Sequence, residues 1–212
     1  MKIPRRTVVA GGACAIAQML TGRVSAVQAK LAPTVNQTIG PFYPVERMLD
    51  QDADLTIIRG RQGRAKGQVI EVVGRVLDPS GRPLPNARLD IWQANAAGRY
   101  AHPGDDSPAP LDPNFQGSAI FCADAGGRFR FRTIKPGPYP GRVAHIHLDV
   151  TYRTQRVITQ MYFPDEPGNQ QDSLLSRIPA GPLRDRLIAI ATTQPRGAGA
   201  LIFRWDVVLE AS

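Results

Sequence analysis

Short apolar runs broken by turn sequences recur along the chain, and one of them alternates apolar and polar positions with a period of two. Val69, Ile70, Val72, Val73, Val76 and Leu77 form a β-branched run that stops at Asp78-Pro79-Ser80-Gly81, a turn sequence. Ala87 to Gln93 reads as a second strand with Leu89 and Ile91 on one face. Arg128-Phe129-Arg130-Phe131-Arg132 alternates strictly, as a half-buried strand does. Ala144–Val150, Val157–Phe163 and Leu201–Leu209 complete the series of strands. Asp172–Arg177 and Pro182–Ala191 are expected as short helices, with Pro182 suited to a helix start. Residues 30 to about 65 lack clean periodicity. They contain Thr38-Ile39-Gly40-Pro41-Phe42-Tyr43-Pro44, a loop stiffened by its Gly and prolines. Short strands separated by turns, with no internal repeat or linker, predict an all-β fold. The expected form is a β-sandwich of mixed or antiparallel strands with short peripheral helices and long loops, a barrel being the other form such strands take.

Composition agrees with this reading. The 20 Gly and 19 Pro among 212 residues supply the turns that many short strands need. The first 29 residues stand apart. Pro4-Arg5-Arg6-Thr7 leads into an apolar run from Val8 to Leu20, followed by small residues ending at Ala26 or Ala29. That order describes a secretory signal, and the Arg pair resembles the twin-arginine type. The run is too short to span a bilayer, so no stable membrane anchor is expected. The expected division is a signal at 1–29, an exported, periplasmic or secreted product, and one domain at 30–212. Cys14 falls in the signal, which leaves Cys122 alone and excludes an internal disulfide in the mature chain. Four of the 26 basic residues and none of the 18 acidic ones lie in the first 29, so the net charge falls from +8 to +4 without them. The remaining bases are scattered and form no aromatic-basic stripe, so no nucleic-acid partner is expected. A mildly positive surface fits both ordinary solubility and the attraction of anionic substrates.

The histidines narrow the chemistry. Only His102, His145 and His147 are present. His145-Ile146-His147 lies in a predicted strand, where i and i+2 share a face about 6.6–6.8 Å apart. Such a pair can grip a metal or can be a chance pair on a polar face. Tyr139 sits between Pro138 and Pro140, on a stiff backbone suited to a preorganised ligand. Tyr100 follows the Trp92 strand in the turn-rich stretch Asn95–Pro103. Taken singly, each tyrosine is more often a surface or interface aromatic.

Together these residues resemble the intradiol ring-cleavage dioxygenases, most closely the protocatechuate 3,4-dioxygenase type. The similar stretches are Thr38–Pro44, Gly74–Pro103, Asp124–His147 and Gln160–Gly168, most of the chain after residue 29. The resemblance implies one mononuclear non-haem iron(III) held by Tyr100, Tyr139, His145 and His147. A 3+ ion, two phenolates and one hydroxide sum to zero, which lessens the cost of burying the cluster. It further implies that Tyr139 is the axial ligand a chelating catechol displaces. Dioxygen then cleaves the ring between the two hydroxyl-bearing carbons, giving a muconate-type diacid. Arg142 is expected to stabilise negative charge on the substrate ring, and Gln160 to orient ligands or substrate beside the metal. Gly40, Pro41 and Tyr43 match a loop that lines the substrate pocket in some members. The partners implied are a catechol and O2, with a homo-oligomer or a partner subunit left open. His102 is expected on the surface. Gly141 stands where the family often carries Trp, so the pocket wall is expected to differ.

Two other classes compete. Gly74 to Ile91 also resembles transthyretin-like sandwich modules, which bind without catalysis and lack the paired tyrosines. A zinc or copper enzyme built on the two histidines would need a further carboxylate or cysteine, and Asp149 is the one close candidate.

Overall fold

The computed structural model describes residues 1, 30–47, 50–196 and 200–210. The expected export signal lies outside the described residues apart from Met1. Among the described residues, nine strands form two sheets. They are β1 Val69–Leu77, β2 Arg88–Trp92, β3 Ser118–Cys122, β4 Arg128–Ile134, β5 His145–Tyr152, β6 Gln155–Tyr162, β7 Ile190–Arg196, β8 Ala200–Arg204 and β9 Val207–Val208. One sheet runs β4-β1-β8-β7, with β9 also on β1; the other runs β3-β2-β5-β6. β8 and β9 lie parallel to β1, and the remaining pairs are antiparallel. The fold is the mixed β-sandwich expected, and its few helices are short.

Alternation decides which side of each strand meets the core. Ile70 and Val72 of β1, Leu89 and Ile91 of β2, Phe129 and Phe131 of β4 and Phe203 of β8 are buried in one cluster. From β5 and β6 come Ile146, Leu148, Val150, Val157 and Met161. Burying side chains of this size stabilises the fold by roughly 1.5–3 kcal/mol each. Along β5, His145, His147 and Asp149 occupy the intervening positions, on the face turned away from this core. They are buried all the same, because residues 34–47 pass over that face as a strap. Gln37 N–H donates to the Ile158 carbonyl at 2.6 Å, while Ile158 N–H donates to Asn36 Oδ1 at 2.9 Å. Gln160 N–H donates to Gln37 Oε1 at 3.0 Å. The strap thus covers part of the edge that β6 would expose.

Several elements depart from expectation. β3 and β7 are strands that periodicity did not mark. The helix expected over Pro182–Ala191 is confined to α1, Pro182–Asp185. The chain beyond it is captured by β6: Tyr162 N–H donates to the Leu187 carbonyl at 2.8 Å, and Ala189 N–H to the Tyr162 carbonyl at 2.9 Å. Over Asp172–Arg177 only Leu175–Arg177 is helical, as one 3₁₀ turn, and a second such turn spans Pro167–Gln170. The strand expected over Leu201–Leu209 is two, β8 and β9. Cys122, at the end of β3, is an exposed free thiol.

Candidate metal centre

Register builds the floor of the site. His147 pairs with Trp92 of β2 on one side and with Gln160 of β6 on the other, and His145 pairs with Tyr162. Partners in register share a face, so Trp92, His147, Gln160, His145 and Tyr162 form one polar-aromatic patch. Trp92 stacks on the His147 ring, centroids 4.8 Å apart and planes 11° from parallel.

Two loops bring the tyrosines over this floor. Asn95 organises the first: its Oδ1 accepts from Ala97 N–H at 2.9 Å and Arg99 N–H at 3.1 Å. Its carbonyl accepts from Gly98 N–H at 3.0 Å and, in the second loop, from Gly137 N–H at 2.9 Å. The loops touch at two glycines. A Cβ on Gly98 would lie 2.2 Å from the Pro138 carbonyl oxygen, and one on Gly137 would lie 2.5 Å from that of Ala96. Any side chain there would part the tyrosines. Tyr139 and Arg142 then close a tight turn by mutual backbone hydrogen bonds of 3.1 and 2.8 Å.

Four donor atoms converge as a result. His145 Nε2 lies 3.2 Å from His147 Nε2, 3.3 Å from Tyr139 Oη and 3.5 Å from Tyr100 Oη. Donors about 2.0–2.1 Å from one ion at tetrahedral angles are about 3.3 Å apart. His145 Nδ1 donates to the Val143 carbonyl at 2.6 Å, which leaves the lone pair on Nε2, facing the other donors. His147 Nδ1 has no hydrogen-bond partner among the described residues. Burial acts on all four groups in one sense: it raises Tyr100 well above the usual phenol range, raises Tyr139, lowers His145 to about 3 and lowers His147 well below the usual imidazole range. Without a cation the set is therefore two neutral phenols and two neutral imidazoles. A hard, highly charged cation favours the phenolate form, so the donors fit iron(III) in number, spacing and type. Among the described residues no three His, Cys, Asp or Glu side chains form a metal-sized group. Asp149, which the zinc or copper reading would need, is instead ion-paired with Arg156 at 3.0 and 2.9 Å.

Around the donors, Arg142 is the most connected side chain. Its Nη1 lies 3.5 Å from Tyr139 Oη, its Nη2 donates to Gln160 Oε1 and, at 3.2 Å, to Tyr162 Oη, and its Nε donates to Asp172 Oδ2 at 2.9 Å. The Arg142 side chain is 9% exposed, so this is no surface ion pair. Gln160 is fully buried. In the strap, Gly40 packs on His147, where a Cβ would come 3.2 Å from Cε1. Pro41 is exposed. Tyr43 points elsewhere, its hydroxyl donating to Asp90 Oδ2 at 2.9 Å and its ring meeting Trp92 edge-on at 5.0 Å. His102 is half-buried; its Nδ1 accepts from Gly104 N–H at 3.0 Å, and its ring lies 5.7 Å from Phe42. A cavity of about 220 Å³ adjoins Tyr100, walled by Phe42, Pro44, Arg47, Trp92 and Gln116 among others.

Comparison with known proteins gives this geometry its context. Residues 39–211 match a family model described as Dioxygenase. The chain is 43% identical over 179 residues to the protocatechuate 3,4-dioxygenase beta chain of Burkholderia cepacia, covering 80% of this chain and 76% of that one. The chain belongs to the intradiol ring-cleavage dioxygenases. The alpha chain from the same organism is 30% identical to this dioxygenase over 191 residues, covering 85% of this chain and 93% of that one. Hydroxyquinol 1,2-dioxygenase of Rhizobium sp. is 31% identical over 128 residues, and the chain spans only 42% of its length. Among solved structures, the dioxygenase domain of a carbohydrate-binding fusion protein from Streptomyces sp. SirexAA-E superposes with a TM-score of 0.65 at 28% identity, over 85% of this chain and all of that one.

Sequence reasoning left several residues of this dioxygenase's site unnamed. Tyr162 follows Gln160 by two positions in one strand, a spacing that places it on the same face. Phe42 lies inside the loop already singled out; its ring centroid is 4.9 Å from that of Tyr100 and 6.3 Å from that of Tyr139. Asp172 reaches the site from a segment with no motif, and no local pattern pointed to it.

Proposed function

We propose that this dioxygenase cleaves a catechol-type ring, a protocatechuate-like substrate being favoured, with one non-haem iron(III) held by Tyr100, Tyr139, His145 and His147. The observation that carries the reading is the convergence of two phenol oxygens and the His147 Nε2 on His145 Nε2, at 3.2–3.5 Å from it. When bound, iron(III) would supply Lewis acidity and radical character to a chelated catecholate, opening it to O2. The protein's own groups divide the rest. Tyr100 is 3% exposed and suits a permanent ligand. Tyr139 is less enclosed, and its Oη suits the base that takes a proton from a substrate hydroxyl. Arg142 Nη1 beside that oxygen favours negative charge there and on an adjoining ring. Gln160 holds the Arg142 fork from β6, and the Gly40 loop shields His147 from water. A homo-oligomer is one form the working enzyme can take. The names of the alpha- and beta-chain relatives make a paired subunit the alternative. Export through the segment at 1–29 belongs to the same proposal.

The test is the visible spectrum of the iron-loaded protein, without and with catechol, protocatechuate and hydroxyquinol under anaerobic conditions. Phenolate-to-iron(III) charge transfer is expected to colour the resting protein red-brown. One substrate is expected to shift the band, and Tyr100→Phe to weaken it. A protein still colourless after reconstitution with iron would sink this reading and leave a non-catalytic binding module in front.

A further inference from the structure

Arg142 carries a charge beside the donors, yet a guanidinium on a flexible stem has no fixed orientation of its own. Its orientation is set from outside the strand patch. Asp172 is 2% exposed and uses both carboxylate oxygens. Oδ1 accepts from Leu174 N–H at 3.0 Å and Leu175 N–H at 2.9 Å, which locks the carboxylate to its own segment. Oδ2 accepts from Arg142 Nε at 2.9 Å and from Val143 N–H at 3.0 Å. Gripping Nε fixes the rotation of the guanidinium plane. With that edge occupied, Nη1 is turned to Tyr139 Oη and Nη2 to Gln160 and Tyr162. The bond to Val143 N–H pins the same carboxylate to the chain two residues before β5, which begins at His145. No other carboxylate forms an ion pair with Arg142 among the described residues.

We propose that Asp172 is a positioning residue for ring cleavage: it aims the Arg142 guanidinium at Tyr139 Oη and at the substrate beside it, and acts on the reaction through Arg142. The role rests on the iron reading of the site given above. It follows from geometry rather than from charge alone. Four donors converge on two carboxylate oxygens, and an amide in that place has one acceptor too few on whichever side its NH2 faces. Lengthening the side chain by one methylene keeps the charge and moves the grip.

Asp172→Asn, Asp172→Glu, Arg142→Gln and the double variant D172N/R142Q are to be purified as full chains and loaded with iron. Melting temperature, the charge-transfer band, and kcat and KM with the preferred catechol are then read per bound iron. Both Asp172 variants are expected to fold, to shift the band of the substrate complex, and to lose at least tenfold in kcat. D172N/R142Q is expected to fall within about threefold of R142Q alone. A purely electrostatic role would restore D172E to near wild type. Losses that multiply in the double variant would mean Asp172 does not act through Arg142. Unchanged kcat and spectrum with only a lowered melting temperature would make Asp172 structural, and failure of both Asp172 variants to fold counts the same way. Each of those outcomes overturns the proposal while wild type is coloured. A wild type that stays colourless removes the iron reading, and the Asp172 role falls with it.

Discussion

His145 is held to about 3, against an ordinary 6.5, first by burial and then by the charge of Arg142. In the unfolded chain the imidazole titrates near 6.5, so between these values the unfolded state binds the proton and the folded state refuses it. Stability from this group is fully present above pH ~6.5 and drains away as pH falls toward 3. His147 is lowered too and acts in the same direction. The metal-free protein is therefore expected to melt at progressively lower temperature as pH drops from 7 to 4. His145→Asn keeps a donor for the Val143 carbonyl but cannot titrate, so its melting temperature should fall less steeply over that window. Parallel melting curves for the two proteins would show that His145 does not carry the effect. The same residue marks what was legible locally. His145 and His147 announce themselves by spacing within one strand. Asp172, which stands 30 positions after Arg142, acquires meaning only once the chain has folded back.

Gly74 shows how a residue within one strand can shape another. It lies mid-strand in β1, and a Cβ there would fall 1.8 Å from the carbonyl oxygen of Trp205. Trp205 N–H donates to the Val73 carbonyl at 2.9 Å, and Asp206 Oδ1 accepts from Arg75 N–H at 2.9 Å, a place a ladder carbonyl would otherwise fill. This side-chain substitution is why the C-terminal run is two strands rather than the one its apolar pattern suggested. Gly74→Ala must push the Trp205 backbone away, a clash costing about 1–3 kcal/mol or more. The variant is expected to lose that much in urea unfolding, and hydrogen exchange should quicken first in β8 and β9. An unchanged midpoint would mean that the strand crossing yields without cost. Where an element depends on its own β-branched run or alternation, as in β1, β4 and β5, the sequence was sufficient to place it. β3 is five residues without alternation, and β7 is set by the capture of residues 187–189 on β6. β3 owes its place to β2, well before it in the chain, whereas β7 pairs with the neighbouring β8.

At the scale of the molecule, the two faces of the second sheet have separate tasks. Its inner face supplies Leu89, Ile91, Ile146, Leu148 and Met161 to the core between the sheets. Its outer face presents His145 and His147, over which the strap and the two tyrosine loops close. Tyr139, His145 and His147 lie close together in sequence, and the full set, with Tyr100 45 positions before His145, was legible through the resemblance to the family. The enclosure around them was not, since it comes from Gly98 against Pro138, Gly137 against Ala96 and Gly40 against His147. This separation decides what metal removal should do. Small zinc domains unfold without metal because the ligands are their core. Here the apolar cluster is complete without a contribution from Tyr100, Tyr139, His145 or His147. On the proposed iron reading, stripping the metal with a chelator is therefore expected to bleach the protein and leave its far-UV circular dichroism and cooperative melting intact. The melting temperature should fall only by the amount that binding to the native state adds, and should recover as iron is restored in excess of its dissociation constant. Loss of cooperative melting on stripping would mean that the metal centre and the sandwich fold as one unit, against the division of faces the structure displays.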